Sequence, residues 1–77
     1  MQTIIKDILH SSFKDADIEV SGSESKYDVK IVSDDFQNKN IIERHKMVYA
    51  LLNKYIISGE IHALTIKSHT KKENEEL

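Results

Sequence analysis

Apolar residues in this chain switch between two spacings, one of three to four residues and one of two, and each switch marks a change of element. Ile4, Ile5, Ile8, Leu9 and Phe13 follow the longer spacing, which predicts an amphipathic helix of about twelve residues. Ile18 and Val20, within Asp17 to Ser21, and then Tyr27, Val29 and Ile31 before Ser33, alternate as strands do. The intervening Ser21, Gly22, Ser23, Glu24, Ser25 and Lys26 are polar and include glycine, so the strands should form an antiparallel hairpin with a mobile tip. Helical spacing returns from Asn40 to Ile57. There Ile41, His45, Val48, Leu52 and Tyr55 share a stripe, while Glu43, Lys46, Ala50, Asn53 and Lys54 oppose it. Ser58 and Gly59 end that helix. Ile61 to Ser68 reads as a third strand, with His62, Leu64 and Ile66 on one face and Ile61, Ala63, Thr65 and Lys67 on the other.

The resulting order, helix, strand, strand, helix, strand, contains no proline or repeat and suits a single domain over residues 1–77. Thr70 and Glu73 have the spacing of a capping box, but the last residues offer little apolar surface, so residues 69–77 are expected to fray. A chain this short buries only about 60% of its unfolded surface, which favours binding at a surface over chemistry in a deep cavity. The absence of cysteine removes disulfides and thiolate ligands, and no signal peptide or membrane-length apolar run is seen, so the expected location is the cytoplasm. A net charge of -2 argues against a dominant phosphate-binding surface while leaving room for a local basic patch.

Two histidines stand out. His45 lies within an apolar stripe, where an imidazole is either a core-edge residue or one that reaches toward the sheet end at which His62 begins. His62 occupies a strand position where alternation calls for an aliphatic side chain, so it either bonds a nearby carbonyl or is presented to another molecule. The two are seventeen residues apart, which matches no zinc-finger spacing. Arg44 is the only arginine among eleven basic residues. Its simplest role is to orient the second helix by bonding carbonyls or a carboxylate, and with Lys39 and Lys46 it also offers a basic edge that Lys26 and Lys30 would extend along the hairpin. No nucleophile with a neighbouring base and no phosphate loop is present, so no enzyme is expected.

Phe36, Gln37, Asn38, Lys39 and Asn40, then Arg44, His45, Lys46, Met47, Val48, Tyr49 and Leu52, and later Ile61, His62, Ala63 and Leu64 together resemble the BolA family, nearest its short IbaG-type members. The pair Gln37, Asn38 stands where the family has a glycine after the phenylalanine. The resemblance implies a small α+β domain similar to a type II KH fold, with a three-stranded mixed sheet covered on one face by helices. It also implies a non-enzymatic adaptor that binds a monothiol glutaredoxin and helps to hold or pass on an iron-sulfur cluster shared with that partner and its glutathione. On this reading His62 is the cluster ligand, His45 a weaker one, and Ser25, Lys26, Arg44, His45 and His62 form the partner surface. Ser25 and Lys26 stand where cluster-binding relatives place a second histidine or cysteine. The alternative the resemblance implies is a DNA-binding transcriptional regulator, contacting DNA through Lys39, Arg44 and Lys46.

Overall fold

A computed structural model describes residues 1–77. Helix α1 (Gln2–Ser12) lays Ile5 and Leu9, one turn apart, into the core, followed by Phe13 just past its end. Ile8 is half-buried and Ile4 is 44% exposed, so the buried stripe is narrower than the spacing predicted.

Strands β1 (Asp17–Ser23) and β2 (Lys26–Val32) pair antiparallel from Asp17 opposite Val32 to Ser23 opposite Lys26. Only Glu24 and Ser25 remain for the turn, at φ 54° and 68°. Positive φ at both central residues gives the turn a twist that matches the flanking strands, so pairing runs to its edge. The expected mobile tip is therefore a tight two-residue turn, and the strands are longer than alternation alone indicated.

β3 (Ala63–His69) lies parallel to β2, with Lys26 opposite Ala63 and Val32 opposite His69, giving the order β1-β2-β3. Parallel neighbours need a crossover, and α2 (Ile41–Ile57) supplies it. Asn40 caps α2 by accepting from the Glu43 N–H at 2.8 Å. Val48 and Leu52 are fully buried and His45 and Tyr55 half-buried, whereas Ile41, placed on the same stripe by periodicity, is 63% exposed. Gly59, at φ 83°, turns the chain away after Ser58.

The helices cover one face of this mixed sheet, and Ile18, Val29, Ile31 and Ile66 meet Ile5, Leu9, Val48 and Leu52 there. Phe36, in a 3-10 turn over Asp34–Phe36, closes one end of the core, its ring 5.3 Å from that of Phe13. The opposite face, including Glu19, Ser21, Asp28, Thr65 and Lys67, stays in solvent. No helix is long and apolar enough to cross a membrane.

Two expectations for the C-terminal third are corrected. Regular pairing of β3 begins at Ala63, and Ile61 is buried ahead of it with its N–H donated to the Tyr55 carbonyl at 3.0 Å. His62 is consequently exposed, not aligned with the inward-facing Leu64 and Ile66. The tail expected to fray is docked. His69 closes β3, Thr70 is buried, and α3 (Lys71–Glu75) starts on a complete capping box between Thr70 and Glu73. Hydrogen bonds, which apolar periodicity does not register, hold it in place.

Candidate partner-binding site

The parallel register brings His62 beside the hairpin turn. Its N–H donates to the Ser25 carbonyl at 2.7 Å, and the Ala63 N–H donates to the same oxygen at 3.0 Å. Lys26, opposite Ala63, completes the group, so Ser25, Lys26 and His62 meet at one end of the sheet. Gly22 allows the hairpin to close there: its φ is 104°, and a Cβ at that position would sit 2.2 Å from the Lys26 carbonyl oxygen. The Gln2 side chain donates to the Gly22 carbonyl, tying the start of α1 to the same end.

This corner holds one imidazole, one hydroxyl and one ammonium. Nowhere in the structure do three histidine, cysteine, aspartate or glutamate side chains converge as a metal-binding group. The exposed His62 ring can supply a single nitrogen ligand, while an ammonium such as that of Lys26 has no lone pair to offer a metal. One imidazole does not by itself complete the coordination shell of a metal. The concavities on the surface, of about 320 to 390 Å³, are lined elsewhere and none includes His62. The corner is an open surface and not a pocket.

Arg44 takes no part in it. Its Nε donates to the Lys39 carbonyl at 2.9 Å, and Nη1 donates to the Ser68 carbonyl at 3.2 Å and to Glu73 Oε1 at 2.7 Å. Nη2 donates to Glu73 Oε2 at 3.1 Å, and the guanidinium carbon lies 5.7 Å from the centre of the Phe36 ring. The Arg44 side chain is only 11% exposed and its donors are engaged within the chain, on two carbonyls and a carboxylate, as expected of a residue that orients the second helix. The Arg44 hydrogen bond first, and the Thr70 N–H second, hold the Glu73 carboxyl at about 2, while the Arg44 pKa is raised chiefly by the same bond.

His45 is also separated from His62. Arg44 on one side bonds the Ser68 carbonyl, and the Tyr49 hydroxyl on the other lies 3.5 Å from the Leu64 carbonyl, so this stretch of α2 runs along β3 beyond its start. His45 Nε2 is buried without a hydrogen-bond partner. The expected paired-histidine surface does not form, because α2 and β3 run in opposite directions past each other, and it is the last turn of α2, at Tyr55, that bonds Ile61 just before His62. Of the expected basic edge, Lys46 is exposed and Lys39 half-buried. Lys30 sits in register between Glu19 and Lys67, in a column of mixed charge. Sequence reasoning missed Glu73 as the partner of Arg44, although a lone arginine together with a capping-box glutamate was the available signal.

The family model described as BolA-like protein matches residues 2–73. An uncharacterised protein in the rpoN-murA intergenic region of Acinetobacter guillouiae is 46% identical over 69 residues, which span 90% of this chain and 83% of that protein. The Escherichia coli DNA-binding transcriptional regulator BolA is 40% identical over 57 residues, 74% of this chain and 53% of that protein. Among solved structures, the BolA domain of SufE1 from Arabidopsis thaliana superposes with a TM-score of 0.85 at 31% identity, covering 94% of this chain and 93% of that one.

Proposed function

Because this chain belongs to the BolA-like family, we propose that it is a non-enzymatic adaptor that binds a monothiol glutaredoxin and lends His62 as a ligand to an iron-sulfur cluster passing through the complex. The observation that carries this reading is an exposed His62 whose backbone N–H is bonded to the Ser25 carbonyl at 2.7 Å, beside the hairpin turn. Backbone bonds from His62 and Ala63 to one carbonyl fix where the side chain leaves the main chain, and the exposed ring stays open to another molecule. The cluster is cargo, and its thiolate ligands come from the glutaredoxin and its glutathione, since this chain has no cysteine. The partner surface then consists of Ser25, Lys26 and His62, without Arg44 or His45.

The test is a titration of isotope-labelled protein with apo and cluster-loaded monothiol glutaredoxin. Amide shifts are expected at Ser25, Lys26, His62 and Ala63, and His62→Ala should abolish the visible absorption of the reconstituted heterocomplex. An unchanged spectrum in that variant removes His62 from the role.

The name of the Escherichia coli relative supports a second reading, a DNA-binding regulator. With Arg44 bonded internally, Lys39 and Lys46 are what remains of the expected contact set. Two phosphate contacts give a slope of log affinity against log salt of only about -2, so binding through them would be weak. Absence of binding at about 50 mM salt disposes of this reading.

A further inference from the structure

The two outer edges of the sheet are finished differently. Ser25 accepts from His62 and Ala63, and Ser33 donates to His69, so odd-numbered residues along β2 turn their backbone groups toward β3 and even-numbered ones toward β1. The same bonds point Ala63 and His69 at β2, which leaves Leu64, Ile66 and Ser68 facing outward on β3. There α2 meets two of the three outward carbonyls, with Tyr49 on Leu64 and Arg44 on Ser68.

On the other side, Lys26, Asp28, Lys30 and Val32 face Ser23, Ser21, Glu19 and Asp17. That turns the backbone of Ile18, Val20 and Gly22 outward from β1. The Gln2 side chain reaches the Gly22 carbonyl from that side, and no hydrogen bond outside the sheet reaches Ile18 or Val20.

We propose that this open β1 edge docks an extended basic segment of a partner protein as a fourth strand. The edge is seven residues long and has no lysine or proline of the kind that commonly deters added strands. Its solvent-face side chains are Asp17, Glu19, Ser21 and Ser23, all exposed, so an added strand meets acidic neighbours on that face. On the helix face Val20 is half-buried, and an incoming apolar residue covers its flank. The complement is a segment alternating lysine or arginine with valine or isoleucine, its main chain bonding Ile18 and Val20 and its cations facing Asp17 and Glu19. A second copy of this chain offers no complement, because in any antiparallel register its own β1 brings only Asp17, Glu19 and serines to that face and no cation. His62 lies at the other side of β2, just ahead of the strand that forms the opposite edge, so this inference stands apart from the proposed function.

The probe is an end-blocked peptide of alternating valine and lysine, of about six residues, a typical strand length. Amide hydrogen exchange read by NMR at low salt should slow roughly tenfold or more at Ile18 and Val20, with Leu64 and Ile66 unchanged. Glu19→Gln should weaken binding several-fold, and a peptide with glutamate in place of lysine should give no protection. A peptide N-methylated on alternate residues keeps the charge but loses main-chain donors, and it should not bind. Failure of the valine-lysine peptide to bind, binding without protection of Ile18 and Val20, or equal binding of the N-methylated peptide overturns the proposal. Protection that rises with protein concentration in the absence of peptide assigns the edge to a second copy and overturns it as well.

Discussion

Arg44 grips Glu73 with two parallel bonds of 2.7 and 3.1 Å, joining the first turn of α2 to the last helix across 29 residues of chain. The same guanidinium bonds the Lys39 and Ser68 carbonyls, so one side chain ties the loop before α2, the end of β3 and α3 together. A lysine cannot reproduce that geometry, because its ammonium lacks the planar fork. Arg44→Lys should lower stability by about 1–2 kcal/mol and Arg44→Ala by about 2–3 kcal/mol, measured by urea unfolding. Amide exchange in α3 should quicken in both variants.

Glu73 makes part of this attachment dependent on pH. Its carboxyl is lowered from an ordinary 4.5 to about 2, first by the Arg44 bond and then by the Thr70 N–H. A group whose pKa is depressed by folding stabilises the fold above its unfolded value and loses that contribution as pH falls through the folded one. The Glu73 contribution is therefore complete above about pH 4.5 and fades toward about pH 2. Glu73→Gln should reduce stability at pH 7 and flatten the pH dependence within that window, followed by thermal unfolding across a pH series. An identical pH profile in the variant would show that other carboxylates carry the transition.

His45 and His62 should separate cleanly in mutation. His45 Nε2 is buried and unpartnered, so His45→Leu removes a desolvated polar atom from a mostly apolar setting and should leave stability unchanged or raise it by up to about 1 kcal/mol. His62 is exposed, and His62→Ala should change stability by no more than about 0.5 kcal/mol. Only the His62 variant is expected to alter the glutaredoxin heterocomplex. Loss of the complex in His45→Leu with folding intact would return His45 to the partner surface.

The two glycines should respond unequally to alanine. A Cβ on Gly22 meets the Lys26 carbonyl oxygen at 2.2 Å, whereas one on Gly59 meets nothing within 4 Å, although both have positive φ. Gly59→Ala then carries only the backbone cost of about 1 kcal/mol, and Gly22→Ala more, at roughly 2–3 kcal/mol. Gly22→Ala should also shift the amides of Ser25 and His62, because the hairpin turn positions both.

The sequence by itself determined the order and type of the first helix, the hairpin strands, the second helix and the third strand, since apolar spacing is a local property: Ile5, Leu9 and Phe13 or Val29 and Ile31 need no distant partner to declare which face is buried. It also marked His62 as out of place in a strand and Arg44 as a residue suited to holding carbonyls. Tertiary structure decided what each of them meets. Nothing in the spacing says that β3 pairs parallel to β2 with Ala63 opposite Lys26, yet that register alone sets His62 beside Ser25. Nothing local says that Arg44 reaches Glu73, and judging the tail by its apolar content overlooked a helix held by charge-assisted bonds. Likewise His45 and His62 fall at different levels of the sheet because α2 runs antiparallel to β3. Burial patterns are written residue by residue along a chain, whereas hydrogen-bond partners and relative placement arise only once separate elements pack.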